Sequence, residues 1–520
     1  MGAYESTISG TPPVVSLTVS TSTPSASSGG SAIYTISITN TGGTAANGVV
    51  ATATLQSGFT FLSGSTVIGG NATRSPLTPD PVGNESAPQW GTFSVPATTG
   101  SLTITFQAGI SCTATAGTYQ TGGSATSTNT TIPSYDGAVG TLDDVTVSVG
   151  DPIFVVNSTG DGNVRDSVIT LREAILLANG TLTTQALTAS EHNQVSGCIG
   201  AGIREAINFD GGIFPSATPG TILISGSSLP SLTDGSGVLF DGFGKGVIID
   251  GGNIGTLIGL TIASNTNFLR NFTVKRFAGT SPNGVGILLS TASTNTLTGI
   301  TSRENGTTGI FVSGGSGNTL TNVTTTLNTG LGIDVTGSST TMTTITATSN
   351  AGGGVRVATG NTNTITTSII SSNTGIGVEF ASNSNSLTGS TLNANTTIGV
   401  LASGSSNTVS NNTITNSGTN GLSISGNTNT TLATNTITGS GQRGLLITGL
   451  TNTATGNTIN TNGTGGVLIQ TGTGNTVTGG TINGNTGPGV RIESNSNTIS
   501  SATISLNTAG GAIVTGSSTA

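Results

Sequence analysis

Charge is what this chain has least of. Only 6% of its 520 residues are Asp, Glu, Lys or Arg, against roughly 25% in an average soluble domain, so an ordinary cytosolic enzyme is excluded. Aromatics make up 4%. The slightly positive mean hydropathy of +0.14 excludes a charge-rich disordered chain. Twelve basic residues against twenty acidic ones leave a net charge of −8, which disfavours a nucleic-acid partner. No apolar run approaches the length of a membrane-spanning helix. Residues 1–25 carry no basic stretch followed by an apolar one, so the chain is expected to begin as a mature or truncated product. The single histidine, His192, falls in a polar stretch without a neighbouring Ser or Cys pattern. Cys112 and Cys198 have no metal-like spacing; a disulfide and two small buried hydrophobes both remain open.

Glycine, in contrast, supplies 82 residues, and Thr, Ser and Asn fill much of the rest. The composition changes near residue 151. Before it, short alternating runs such as Ala32–Ile38 place Tyr34, Ile36 and Ile38 on one face. Val14–Val19, Val49–Leu55, Leu102–Phe106 and Val145–Val149 are further strands. Strands at this spacing, with no helix-period segment between them, predict an antiparallel β-sandwich over 13–150, preceded by an extended segment 1–12. The stretch Ser16–Gly64, with Tyr34–Gly42 and Ser57–Phe61, resembles the conserved-repeat immunoglobulin-like domain of bacterial and archaeal surface proteins. That resemblance implies an extracellular spacer without catalytic residues.

After the break, Thr170-Leu171-Arg172-Glu173 reads as a capping box opening a helix over 171–179, with Leu171, Ala174, Ile175 and Ala178 on its apolar face and Gly180 as the stop. Ile169–Ile175 looks like the Cys-Ser-Leu-Arg-Glu-Ala-Ile motif at the start of bacterial surface β-helix proteins, with Ile169 in place of the Cys and Thr170 in place of the Ser. A second echo, Ile203–Phe209, precedes Val247–Asn253. Together they suggest a cap over 151–210. Asp161, Asn163 and Asp166 form a partial ligand run for calcium, with an Asx turn as the simpler reading. No cofactor is expected.

From Gly286 to Gly511, eleven glycines followed by apolar-variable-apolar recur at intervals of 22 or 23, a mean of 22.5. With alternating apolar positions and no helix-forming interruption, each repeat predicts one coil of a three-sided parallel β-helix over 211–520. Asn295, Asn318, Asn363, Asn385, Asn407, Asn452, Asn475 and Asn497 form one column, with Thr340 and Thr430 filling its gaps. Asn305, Asn328, Asn350, Asn373, Asn395, Asn462, Asn485 and Asn507 form another. Stacked amides satisfy one another from coil to coil, so these columns are read as structural. The pattern resembles right-handed parallel β-helix proteins, a fold shared by polysaccharide lyases and hydrolases, adhesins and tailspikes. Fold alone does not decide among them.

Two outward columns stand out. Thr296 and Thr298, Thr319 and Thr321, Thr341 and Thr343, Thr364 and Thr366, Thr453 and Thr455, and Thr476 and Thr478 form a flat hydroxyl-and-methyl grid resembling that of ice-binding solenoids; Thr is also the default residue of an exposed strand. The other column contains the apolar Leu288, Phe311, Leu401, Leu446, Leu468 and Ile513, read as an interface patch, and the alternating Asp334, Arg356 and Glu379, read as a surface charge ladder. With no other carboxylate cluster in the repeat, the expectation is an extracellular, non-catalytic protein. It would be a subunit of a cell-surface layer or filament, or an adhesin, partnered by its own copies or another surface component. A glycan-binding or degenerate polysaccharide-active β-helix protein and an ice-binding protein are the alternatives.

Overall fold

The computed structural model describes residues 10–83, 85–137, 140–148, 152–197, 204–429 and 431–516. The first nine residues, Cys198, Thr430 and the last four residues lie outside these, and with them most of the 1–12 segment and the Cys112–Cys198 question. The fold is all-β, in two compact units. One comprises 1–156, 164–169 and 180–206; the other comprises 157–163, 170–179 and 207–520.

In the amino-terminal unit, alternation sets the sheets. Ser31–Asn40 pairs antiparallel with Val15–Thr21 on one side and Gly100–Ile110 on the other, and Phe59–Phe61 and Val67–Gly70 extend that sheet. A second sheet orders Thr121–Thr126, Ala46–Leu55, Gln89–Val95 and Thr73–Arg74. Their inward residues share one apolar core. Tyr34, Ile36 and Ile38 are fully buried, as the alternation requires. Trp90 packs on Phe106 at 4.8 Å between ring centroids and satisfies its indole N–H on Thr66 Oγ1. Burial pushes the Tyr34 hydroxyl up to about 12.

The larger unit is a parallel β-solenoid of about 13 turns with roughly 23 residues per turn. The chain visits three sheets in rotation. The first includes Val238–Asp241, Phe268–Arg270 and Thr296–Thr298; the second Val247–Asp250, Thr273–Lys275 and Thr301–Arg303; the third Leu260–Ile262, Ile287–Ser290 and Ile310–Ser313. Register is exact from coil to coil: Leu297 over Leu320 over Met342, Ile310 over Ile333 over Val355. Helix Leu171–Ala178 opens on the Thr170–Glu173 capping box, and the Asn179 amide donates to the Ser231 carbonyl, tying the helix end to the first coils.

Glycine recurs once per coil because nothing larger fits. A Cβ on Gly309 would lie 2.7 Å from both the Asn328 amide nitrogen and the Gly332 carbonyl oxygen. The Asn columns run where expected, buried and linked amide to amide: Asn305 to Asn328 at 2.9 Å, Asn328 to Asn350 at 2.8 Å. One position differs. Asn429, not Thr430, continues the first column, accepting from the Asn407 backbone N–H at 2.6 Å and donating to Asn452 at 3.0 Å. Asn429 lies eight residues after Gly421, as Asn407 does after Gly399, but three rather than two before the next inward apolar residue, Leu432, so counting back from that apolar position misplaces the amide. A third polar column, missed in the sequence, runs through Ser368, Ser390, Asn412, Asn435 and Asn457 between the first two sheets.

Candidate functional site

The outward row of the third sheet concentrates what charge the repeat has. Its register reads Leu288, Phe311, Asp334, Arg356, Glu379, Leu401, Ser423, Leu446, Leu468, Arg491 and Ile513 on successive strands, spaced about 4.8 Å apart. Alternating sign suggests a ladder in which the guanidinium is shared. The structure resolves it differently. Arg356 turns its fork onto Asp334 alone, with Nε to Oδ1 at 3.0 Å and Nη2 to Oδ2 at 2.7 Å. Asp334 is only 7% exposed. Hydrogen bonding to Asp334, against some loss from burial, raises the Arg356 pKa, with Glu379 adding a weaker charge effect.

A planar guanidinium matches one carboxylate bidentately. Glu379, one strand further on, therefore has no hydrogen bond among the described residues, while Arg356 keeps its Nη1 edge. Small side chains flank the row: Gly353 and Ala358 on either side of Arg356, and Ala381 beyond Glu379. Phe311 and Leu401, both half-buried, close the trio at its two ends along the sheet. A free carboxylate beside a partly free cation can hold sugar hydroxyls. It is also the minimal pair for taking a proton next to a group whose developing charge needs a cation.

The solenoid matches the right handed beta helix region family over residues 245–407 and 398–520. The chain belongs to that family. No curated protein matches it. Among solved structures, the β-helix is similar to the mannuronan C-5 epimerase AlgE6 A-module of Azotobacter vinelandii, at 15% identity and a TM-score of 0.39 over 72% of this chain and 90% of that one. It is also similar to a GH87 α-1,3-glucanase catalytic unit of Streptomyces thermodiastaticus, at 13% identity and 0.35 over 97% of each chain, and to pectate lyase Pel9A, at 15% and 0.29 over 68% and 78%. These are enzymes named for polysaccharides. Against them, the expectation of a non-catalytic structural subunit, and of no enzyme, is corrected. The physical reason lies in the trio expected to be a surface charge ladder: Asp334 is buried under the Arg356 fork, and Glu379 is left without a hydrogen bond among the described residues.

The remaining residues fall as follows. Asp161 accepts from Arg172 at 3.1 and 2.9 Å and from the Ser225 N–H at 3.0 Å, and its side chain is 5% exposed. Asp166 accepts from the Val168 N–H within its own turn and belongs to the amino-terminal unit, whereas Asp161 and Asn163 belong to the β-helix unit. Among the described residues no group of three or more His, Cys, Asp or Glu is placed to hold a metal. His192, read as lying in a polar stretch, ends the short helix Ala189–His192, where burial lowers its pKa. It lines a cavity of about 470 Å³ with Cys112, Ser63 and Ser111, a neighbourhood no local motif announces.

The Thr grid lies on the first sheet, and the second sheet carries one like it, including Thr324 and Thr326, Thr346 and Thr348, Thr413 and Thr415. Hydroxyls in both grids meet across coils, as Thr366 meets Thr343 and Thr348 meets Thr326. In the apolar row Leu468 is buried, 5% exposed, between Leu446 and Arg491 on the adjoining strands. Leu288, Phe311, Leu401, Leu446 and Ile513 are half-buried.

Proposed function

We propose that this β-helix is directed at polysaccharide, holding a glycan chain along its third face with Glu379 as the group that accepts a proton and Arg356 as the cation beside it. The observation that carries the reading is the division of the trio: Asp334 takes the whole fork of Arg356 and leaves a carboxylate unpaired on an outward sheet row. A chain lying along the solenoid meets one row position about every 4.8 Å, a step close to that between successive sugars in an extended polysaccharide. Phe311 and Leu401 offer apolar surface to the C–H faces of sugar rings, and Arg356 Nη1 offers donors to their oxygens. Such a protein works outside the cell. The amino-terminal unit fits an immunoglobulin-like spacer that carries the β-helix.

The test is a panel of neutral and acidic polysaccharides with wild type and Glu379→Gln. Binding is read by affinity electrophoresis, and turnover by unsaturated products, reducing ends and epimerised sugars. Wild type is expected to be retarded by at least one polysaccharide and to convert it. Loss of a general base removes roughly 10²–10⁴-fold in rate, so the variant should bind normally and turn over at least about 100-fold more slowly. No binding and no conversion across the panel would overturn the proposal.

A further inference from the structure

Four arginines lie in the regular repeat, and three are paired with carboxylates: Arg303 with Glu304, Arg356 with Asp334, and Arg491 with Glu493. Among the described residues Arg443 has no such partner. It starts the third-sheet strand Arg443–Ile447. Its side chain makes one long contact, Nη1 to the Thr464 carbonyl at 3.5 Å. The guanidinium reaches over Gly465 of the next coil, where a Cβ would come within 3.0 Å of Nη1. The outward row, three residues further along these strands, holds Leu446 and Leu468, and Arg491 follows in it on the next strand. Burial first, and then the like charge of Arg491, lower the Arg443 pKa, with Glu493 acting in the opposite sense. Leaving such a cation partly desolvated and unpaired is costly unless an anion completes it.

The six charges of this face, Asp334, Arg356, Glu379, Arg443, Arg491 and Glu493, sum to zero. The two without partners are Glu379 and Arg443, opposite in sign and three strands apart. Because Arg443 lies three residues before the row position held by Leu446, that separation is about 17 Å at the spacings of strands and residues, too far for the two to pair and within reach of one extended ligand.

We infer that Arg443, over the open floor of Gly465 and backed by Arg491, is a subsite for an oxyanion substituent, a carboxylate or sulfate ester, on the glycan bound along the third face. The inference rests on the polysaccharide reading of that face and adds the charge of the substrate. Guanidinium geometry suits either group, since both present paired oxygens to a planar fork.

The experiment uses three sets of oligosaccharides of one backbone, neutral, uronate-bearing and sulfated, with wild type, Arg443→Gln and Arg443→Lys, each checked for an unchanged melting curve. Wild type should bind at least one anionic set about tenfold more tightly than the neutral set, a preference that weakens with salt. Comparing the uronate and sulfate arms identifies which oxyanion is taken. Arg443→Gln should abolish the preference and keep the neutral affinity, and Arg443→Lys should restore part of it. Equal binding of all three sets, or a preference that survives Arg443→Gln, overturns this inference and leaves the polysaccharide reading standing. Absence of binding by every set overturns both.

Discussion

The side-chain amide of Asn452 donates to Oδ1 of Asn475 one coil further on, at 3.1 Å, with both residues fully buried. Asn452 in turn accepts from the backbone N–H and the amide of Asn429, at 2.9 and 3.0 Å. Each amide is thus acceptor for one coil and donor to the next. Asn452→Ala would strand two buried donors of Asn429. An orphaned buried group costs about 1–3 kcal/mol, so the urea midpoint of the β-helix, followed by circular dichroism, should fall clearly. Asn452→Asp keeps the acceptor but sets a buried carboxylate oxygen against Oδ1 of Asn475 and the Gly426 carbonyl, so it should cost at least as much. An unchanged midpoint for the Ala variant would show that the ladder does not carry stability.

Acid should act on the first coils. Asp250 is 1% exposed and lies between Lys275, at 3.4 Å, and Arg276. Burial by itself raises its pKa. The hydrogen bond from Arg276, the Gly252 N–H and the charges of Lys275 and Arg276 outweigh it, so the net value is lowered from the ordinary 3.8. A carboxylate depressed in the folded state gives stability that is fully present above its unfolded pKa and is lost as pH falls through the folded value. The melting temperature of wild type should therefore hold down to about pH 4 and drop below it. Arg276→Ala removes the largest opposing influence, so it should melt lower than wild type at neutral pH and lose less on acidification, the two profiles converging in acid. Superimposable pH profiles for the two proteins would refute this account.

How much of this was legible beforehand follows from what periodicity can encode. The coil length, the inward apolar positions and the burial of Asn295, Asn318 and Asn363 follow from a repeat in which one residue type must serve the same place in every coil. The column of Ser368, Ser390, Asn412, Asn435 and Asn457 was hidden because two residue types share its role. The place of Asn429 was lost to a one-residue difference in coil length. Glu379 escaped for another reason. Its place in the outward row follows from the repeat, but alternating letters cannot say which of two carboxylates a guanidinium turns to, since that depends on rotamers rather than on spacing. Arg443 carried no signal at all, because an absent partner is visible only once three dimensions show what lies beside it.

If that division of the trio matters, Asp334 positions the site without touching the glycan. Asp334→Asn keeps the side-chain volume and one acceptor but removes the charge that holds the Arg356 fork. Freed from it, Arg356 turns to the nearest carboxylate, which is Glu379 on the next strand. The new pair would tie up the proposed base, since a planar guanidinium holds one carboxylate bidentately. Conversion of the bound polysaccharide should then fall by about tenfold or more, although neither Glu379 nor Arg356 has been altered. Binding should weaken less than turnover, because hydroxyl contacts along Phe311 and Leu401 remain. Asp334→Glu, which restores the charge one methylene further out, should recover part of the rate. An Asp334→Asn variant with wild-type turnover would show that Arg356 does not choose between the two carboxylates in the working protein.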